Sequence, residues 1–573
     1  MTCATIKTRM VLAVLVLSAM AGLFRGWLLA ASGVVLALAL AAVLPTRKLA
    51  GNRVRVHRLR IRLRLHPGRG HATVFGLWLR WGRFASFRQS RRARPSLSAR
   101  ERLAHPQEHS VYIGRAHYGH GVRVPVQEHA AVLGPPREGK SGWLAKVIMH
   151  YPGSVVSTSS KPDQFMLTSG IRAACRPVHV FSPQGLGGVP STFRWSPIAG
   201  CRDEATAIRR ADAFAQAVSV RGTEDSSFWA TKASDYLRAL FCAGDIVGAD
   251  MRLVSRWILG QRTAEAIDIL AKAGHDQWAA TLAELLGPAE KTTATVRMVM
   301  SSSVAFMTDP KLAESVLPAD GAGFDIDEFL LASGTLYMVA KSNGADSPLA
   351  PLFSAMACEI QYRATELGSQ MPGGRLDPPL LLALDEVTQI CPVPLPAWLA
   401  DSGGQGVQIL PVAHGIAQLR NRWKETGARI ILDTCTSKVF LPGLSDPDTL
   451  SMASRLCGTV AFREGGQQHY TRHAVISDEM IRQLPRNRAL IVRGAEAPVI
   501  VSLGMGWKDR AYKTARRAGT AVAALQPAAP PRALDLESLS PILPDDLITE
   551  LEEAAGAPAE PVPAAADNPW GVR

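Results

Sequence analysis

Residues Gly134-Pro135-Pro136-Arg137-Glu138-Gly139-Lys140-Ser141 fit G-x-x-x-x-G-K-[ST], the loop that cradles nucleotide phosphates. Backbone N–H groups from about Glu138 to Gly142 wrap the phosphates in such a loop, and the N-terminus of the following helix adds positive potential. Lys140 would reach the terminal phosphates and Ser141 would ligate Mg2+. Pro135 and Pro136 lack N–H groups, but they fall in the half of the loop that arches over rather than donates. A second chemical pattern follows much later in the chain: Pro379-Leu-Leu-Leu-Ala-Leu-Asp385-Glu386, an apolar run ending in two acids. There Asp385 would enter the Mg2+ shell and Glu386 would activate the water that attacks the γ-phosphate. An apolar strand ending in two acids is common by itself. Following the phosphate loop, it reads as the second half of an ATP site.

Both patterns require strands that end where their side chains must meet. Ala130–Leu133 reads as a short buried strand before the loop, and Lys140–Tyr151 carries apolar residues at helical spacing after it. Residues 153–157 and 178–181 read as further core strands of a parallel sheet. From about Asp203 to Ala319 the pattern turns helical and Ala-rich, so an all-helical domain is expected inside the nucleotide fold. Strand and helix alternation resumes at 334–340, continues through a helix at 349–367 and persists to about Leu503. The strand at 406–413 ends in His414, a position suited to sensing the γ-phosphate; a helix N-cap or a plain surface histidine is the alternative. Arg420, Arg422 and Arg455 are candidates for an arginine donated to a neighbouring subunit's nucleotide, or else ordinary solvated charges.

The chain has 573 residues, 47% hydrophobic and 20% charged, which describes a globular body of two or three domains. Its net charge of +15 is concentrated between Arg47 and Arg102, where seventeen Arg or Lys face a single acid, Glu101. Two uncharged apolar runs precede this stretch, residues 10–24 and 27–44, separated by Arg25-Gly26. As one helix they would reach about 50 Å, against a ~30 Å hydrocarbon core, so a hairpin of two short spans is expected. Lys7 and Arg9 before it, with Arg47 and Lys48 after it, place both ends and the ATPase body in the cytoplasm, at the inner membrane. A cleaved signal peptide is rejected because export would separate the nucleotide site from its ATP. Within the basic stretch, residues 58–65 alternate Arg with apolar residues, and the segment reads as a juxtamembrane collar on acidic lipid, with DNA contact as the alternative. Eight cysteines occur with no C-x-x-C pair and no zinc spacing, which suits reduced thiols. Beyond Thr520 the chain is rich in Ala, Pro and acids, without a core pattern. It reads as a disordered tail with one helix-like patch, Asp545–Ala555.

The expected organisation is therefore a transmembrane hairpin (1–46), a polybasic juxtamembrane segment (47–105), a nucleotide-binding domain in two parts (106–202 and 326–515), an inserted all-α domain (203–325) and an acidic Pro/Ala-rich tail (516–573).

Several of these features together resemble the TraG/TraD-type coupling proteins of conjugative type IV secretion. They are the apolar hairpin, G-P-P-R-x-G-K-S, the Lys161-Pro-Asp163 turn, Phe181-Ser-Pro183, Trp195-Ser-Pro-Ile198, the helical insertion, Leu384-Asp-Glu386 and Gln418-Leu419. The resemblance spans about Val11 to Leu503. It implies an α/β, RecA-like P-loop fold with an inserted all-α domain behind a two-helix membrane hairpin. It further implies a homo-hexameric ATPase that passes relaxase-bound single-stranded DNA to secretion-channel proteins. Gly134, Gly139, Lys140 and Ser141 would bind ATP, Asp385 would hold Mg2+, and Glu386 would activate water; the family usually has glutamine where His414 stands. An FtsK-like double-stranded DNA pump, a protein-export ATPase and a non-catalytic anchor are the rival readings. The tail does not resemble an FtsK-type winged-helix DNA reader, a single P-loop disfavours the export ATPase, and the intact Lys140, Asp385 and Glu386 disfavour the anchor.

Overall fold

The computed structural model describes residues 70–531, except 219–225, 287–290, 320–321, 342–346 and 464–469. The expected membrane hairpin, the alternating stretch 58–65 and the patch 545–555 lie outside the described residues. Among those described, no helix is long and apolar enough to cross a membrane.

Eleven of the described strands form one sheet. In chain order they are β1 (Ser110–Arg115), β2 (Gly121–Pro125), β3 (Ala130–Leu133), β4 (Val155–Ser159), β5 (Val178–Phe181), β6 (Thr335–Val339), β7 (Leu380–Leu384), β8 (Val407–Ala413) and β9 (Ser437–Phe440), with β12 (Arg488–Arg493) and β13 (Val499–Leu503). Their spatial order is β2-β1-β13-β12-β9-β3-β8-β7-β4-β6-β5. From β9 to β5 every pairing is parallel, whereas β12, β13, β1 and β2 extend the sheet as an antiparallel wing. The parallel strands β3, β4, β6, β7 and β8 are buried at every residue, as expected where helices cover both faces. β10 (Thr459–Arg463) and β11 (Tyr470–Ala474) form a separate antiparallel pair.

The helical insertion lies between β5 and β6. Its first helix, Glu204–Ala217, is capped by the Asp203 side chain accepting from the Thr206 N–H. It docks on the helix Ala350–Gln370 through buried Glu359, which lies 3.4 Å from Arg209 and 3.5 Å from Arg210. Arg209 also lies over the Tyr362 ring at 3.6 Å.

The compact body begins at Gly70, within the basic stretch. Residues 74–81 form a short helix passing into a π-type turn, and the helices Arg83–Ala93 and Ala99–Ala104 follow. Leu77, Trp81 and Ala93 join the same apolar core as Val111, Val132, Trp143 and Leu381. Arg94, almost fully buried, is paired with Asp377 and Glu108. At the other end, residues 520–529 run along the body. The Gly170 N–H donates to the Ala521 carbonyl (3.2 Å), the Ala523 N–H to Ser169 Oγ (3.0 Å) and the Ala528 N–H to the Ser191 carbonyl (2.9 Å). Leu525 packs on the cluster of Phe165, Val180 and Tyr337.

Candidate nucleotide site

β3 delivers the loop into a tight space. A Cβ on Gly134 would lie 2.6 Å from the Leu441 side chain, so glycine is what the packing there accepts. Arg137 and Gly139 turn the loop with φ of 67° and 91°. The helix Lys140–Met149 then begins, and the Trp143 N–H donates to the Gly139 carbonyl at 3.0 Å. Trp143 fixes this helix to the antiparallel wing, its buried indole N–H donating to the Ile113 carbonyl at 3.1 Å. Gly142 lies against the Trp507 ring so closely that a Cβ would sit 1.9 Å from it.

The strand order decides what meets the loop. β8 lies between β3 and β7, so the C-terminal tip of β8 stands between Lys140 and the acids that end β7. Lys140 Nζ donates to the Gly134 carbonyl at 2.6 Å and to His414 Nδ1 at 2.6 Å. Because lysine only donates, Nδ1 is the acceptor and the ring N–H is on Nε2. Burial lowers the Lys140 pKa to about 8, with Asp385 and Glu386 opposing the shift. Burial, then the Lys140 charge, lowers the pKa of His414 and keeps it neutral. The His414 backbone N–H donates to Gln418 Oε1 at 2.9 Å, which holds the turn into the helix that starts at Ile416.

Asp385 is 5% exposed and is fixed from both sides. Its Oδ2 accepts from Ser141 Oγ at 3.0 Å, and its backbone carbonyl accepts from Thr158 Oγ1 of β4 at 3.0 Å. Its Oδ1 is buried without a hydrogen-bond partner, and burial raises its pKa above the ordinary carboxylate value. An unpartnered buried carboxylate oxygen beside a serine hydroxyl is a donor set that suits a hard divalent cation such as Mg2+. Glu386, half-buried, follows with φ of 51°, a left-handed conformation that is costly for a side-chain-bearing residue. Lys140, Asp385, Glu386, Thr388, His414 and Gln418 line one small cleft.

The structure thus brings Lys140, Ser141, Asp385, Glu386 and His414 together. Pro136 and Arg137 are exposed on the outer part of the loop, and Glu138 buries a carboxylate oxygen that has no partner. The three arginines lie elsewhere. Arg420 is paired with Glu425 at 2.6 Å and with Asp448, and Arg422 donates to the Gln216 carbonyl of the insertion at 2.7 Å. Arg455 is exposed near the end of the helix Pro447–Cys457, whose Thr449 hydroxyl accepts from the Ile416 N–H at 3.0 Å. Two supporting groups escape a reading of the sequence alone: Thr158, and Gln164, whose Nε2 donates to the Ser141 carbonyl at 3.1 Å. Gln418, already singled out in the Gln418-Leu419 pair, stands one helical turn beyond His414 and holds its backbone N–H.

Residues 379–489, which include Asp385, Glu386, His414 and the three arginines, match the family described as the TraM recognition site of TraD and TraG. Solved structures with this fold include the bacterial conjugative coupling protein TrwBdeltaN70 in an unbound form. It has a TM-score of 0.51 and 18% identity, over 70% of this chain and 90% of that one. Over residues 379–489 the chain is thus similar to TraD and TraG. TrwB in complex with the GTP analogue GDPNP is similar at a TM-score of 0.51 and 18% identity, over 68% of this chain and 90% of that one. TrwB with the ATP analogue ADPNP has a TM-score of 0.50 and 19% identity, over 67% and 87%. At such identities the solved structures establish the fold of this chain. No curated protein sequence matches it.

Proposed function

We propose that this protein is a TraG/TraD-type coupling protein, a membrane-anchored ATPase that couples ATP hydrolysis to the passage of a single DNA strand, with its attached relaxase, into a type IV secretion channel. It would work as a homo-hexamer, with the ATPase body in the cytoplasm and residues 1–46 as the anchor. The observation that carries the ATPase reading is the 3.0 Å bond from Ser141 to Asp385, which brings the phosphate loop and the end of β7 to one point while leaving Asp385 Oδ1 unpartnered. The nucleotide-bound TrwB structures support nucleotide binding, and the matched family supports a place in conjugative transfer.

Each residue then has a definite task. Mg2+, when bound, supplies charge that screens the phosphate oxygens, and Ser141 and Asp385 would hold it. The loop N–H groups and the helix N-terminus orient the phosphates. Lys140 exchanges two neutral acceptors, the Gly134 carbonyl and His414, for phosphate oxygens. Glu386, next in chain to Asp385, takes the proton of the attacking water. His414 reports the exchange: with Lys140 on phosphate, its Nδ1 loses its donor, and the turn it shares with Gln418 passes that change to the helix beginning at Ile416. Arg455, Arg420 and Arg422 remain the candidates for the arginine supplied to a neighbour. Arg455 leads, because using either of the others would first break contacts to Glu425, Asp448 or Gln216.

ATP turnover by residues 70–573, measured with single-stranded, double-stranded and no DNA, tests this reading, and single-stranded DNA is expected to stimulate most. Lys140→Ala should remove hydrolysis and nucleotide binding. Glu386→Gln should bind ATP and retain it, with turnover lower by on the order of 10²–10⁴. Wild-type turnover in both variants would remove the site assignment.

A further inference from the structure

The first elements of the body place large aromatic rings on the outside. Phe75 is 69% exposed, Trp78 52% and Phe84 43%, three within ten residues. They are contiguous, with ring centroids of Phe75 and Trp78 6.4 Å apart and those of Trp78 and Phe84 5.1 Å apart. The helix Arg83–Ala93 buries Ser86, Ser90 and Ala93 on one face. Its opposite face, at i, i+4, i+7 and i+8 spacing, carries Phe84, Arg88, Arg91 and Arg92, all exposed. Trp78 and Phe84 also form part of the wall of a cleft of about 1170 Å3, whose charged lining is Arg83, Arg115, Arg123, Lys146 and Lys508 against the single acid Asp509. A contiguous aromatic patch set among cations, with almost no acid, is a surface made for an apolar partner that carries negative charge.

We propose that Phe75, Trp78 and Phe84, with Arg83, Arg88, Arg91 and Arg92, form a docking surface for a bilayer containing anionic phospholipids. The rings enter the headgroup region and the guanidinium groups pair with lipid phosphates. A single nucleic-acid strand shares the negative charge but fits the rings poorly. Trp78 and Phe84 are stacked on each other with planes 6° apart, so one face of each ring is already covered by the other and half of the stacking surface is lost to bases. A bilayer interface accepts whatever ring surface remains exposed. The place in the chain agrees with this, because Phe75 follows the apolar run at 27–44 by about thirty residues. The inference deepens the anchored-ATPase reading by giving the cytoplasmic body its own contact with the membrane.

Residues 70–573 contain the whole compact body and its core but lack the apolar runs, so they isolate this surface from the anchor. Co-sedimentation of that protein with phosphatidylcholine vesicles, and with vesicles containing phosphatidylglycerol, should show binding to the second only, weakened by salt. Phe75→Ser combined with Trp78→Ser should lower partitioning by at least about tenfold. Arg88→Gln and Arg91→Gln should each lower it about fivefold at low salt. All four side chains are exposed, so melting temperatures should stay at the wild-type value. Absence of binding to anionic vesicles, or binding unchanged in the aromatic and arginine variants, overturns the proposal. So does single-stranded DNA bound through these residues in preference to vesicles. ATP turnover read in the same samples separates the two conclusions. Intact turnover without vesicle binding removes the docking surface alone, and vesicle binding without turnover removes the motor alone.

Discussion

Lys140 sits where burial has already lowered its pKa to about 8, and it holds two neutral acceptors at 2.6 Å. Nucleotide phosphates replace those acceptors with negative charge, so the lysine's pKa must rise on binding. The sign follows. Below pH 8 the free protein already carries the proton and affinity is at its full value. As pH climbs past about 8 the free protein loses the proton that the complex keeps, so affinity falls and binding takes a proton from solution. Calorimetry of nucleotide binding at pH 7 and pH 9, in buffers of different ionisation enthalpy, should show net proton uptake at pH 9 only. Uptake that is the same at both pH values would place the lysine elsewhere. Asp385 supplies a second check at this scale. Its buried Oδ1 has no protein partner, so chelating Mg2+ should weaken nucleotide binding to the wild-type protein and have little further effect on Asp385→Ala. The residue types and spacings singled out Lys140, Ser141, Asp385 and Glu386, because phosphate and Mg2+ chemistry allows few alternatives, and the fold brings these four to one cleft and its rim. They did not reveal the Lys140–His414 bond, which exists only because β8 enters the sheet between β3 and β7. That order comes from long-range pairing with no local signature.

At the scale of elements, legibility followed the contrast between apolar and polar residues. β3 and β5 were readable to the residue, since short apolar runs flanked by turns have few other uses. β4 starts two residues later than its apolar pattern suggested, because Gly153 is committed to a close backbone approach; a Cβ there would lie 2.1 Å from the Pro379 carbonyl. The helices between Gly70 and Ala104 were hidden by their arginines, which outnumber the few residues, Leu77, Trp81 and Ala93, that enter the core. The Ala- and Pro-rich strap at 520–529 was equally silent, since it is held by backbone bonds and by Leu525 rather than by a periodic face. Its attachment is tight at Gly170. Gly170 allows the strap to cross its helix, and a Cβ there would approach the Thr520 carbonyl to 2.0 Å. Alanine is the better helix former by about 1 kcal/mol, so Gly170→Ala should leave the helix intact while lifting the strap. Hydrogen exchange at Ala523 and Ala528 should accelerate in the variant, with the core strands unchanged. Protection equal to wild type would mean that the strap crosses elsewhere.

For the molecule as a whole, the position of charge matters more than its sum. Twelve Lys or Arg and no acid precede Gly70, leaving the rest of the chain +3 of the net +15. So weak a charge gives little general attraction for DNA, and a strand would be held only where several subunits turn the same basic residues toward one channel. Residues 70–573 should therefore bind single-stranded DNA weakly as a monomer and more tightly as they oligomerise; tight binding independent of protein concentration would contradict the ring. The acids are localised too. Beyond the strap, Asp535, Glu537, Asp545, Asp546, Glu550, Glu552 and Glu553 lie in a sequence with little to form a core, and the strap ties the base of that segment to the body beside β5. An acidic segment tethered in this way suits capture of a basic partner, such as a relaxosome protein, by raising its local concentration near the body. Removal of residues 532–573, which leaves the strap in place, should then leave basal ATP turnover unchanged and reduce transfer of the natural substrate. Because the attraction is between exposed charges, partner binding by the intact protein should weaken as salt rises through the physiological range. Transfer frequency and ATP turnover measured for both lengths decide the matter: undiminished transfer makes the acids a solvated chain end, and a fall in turnover makes them part of the motor.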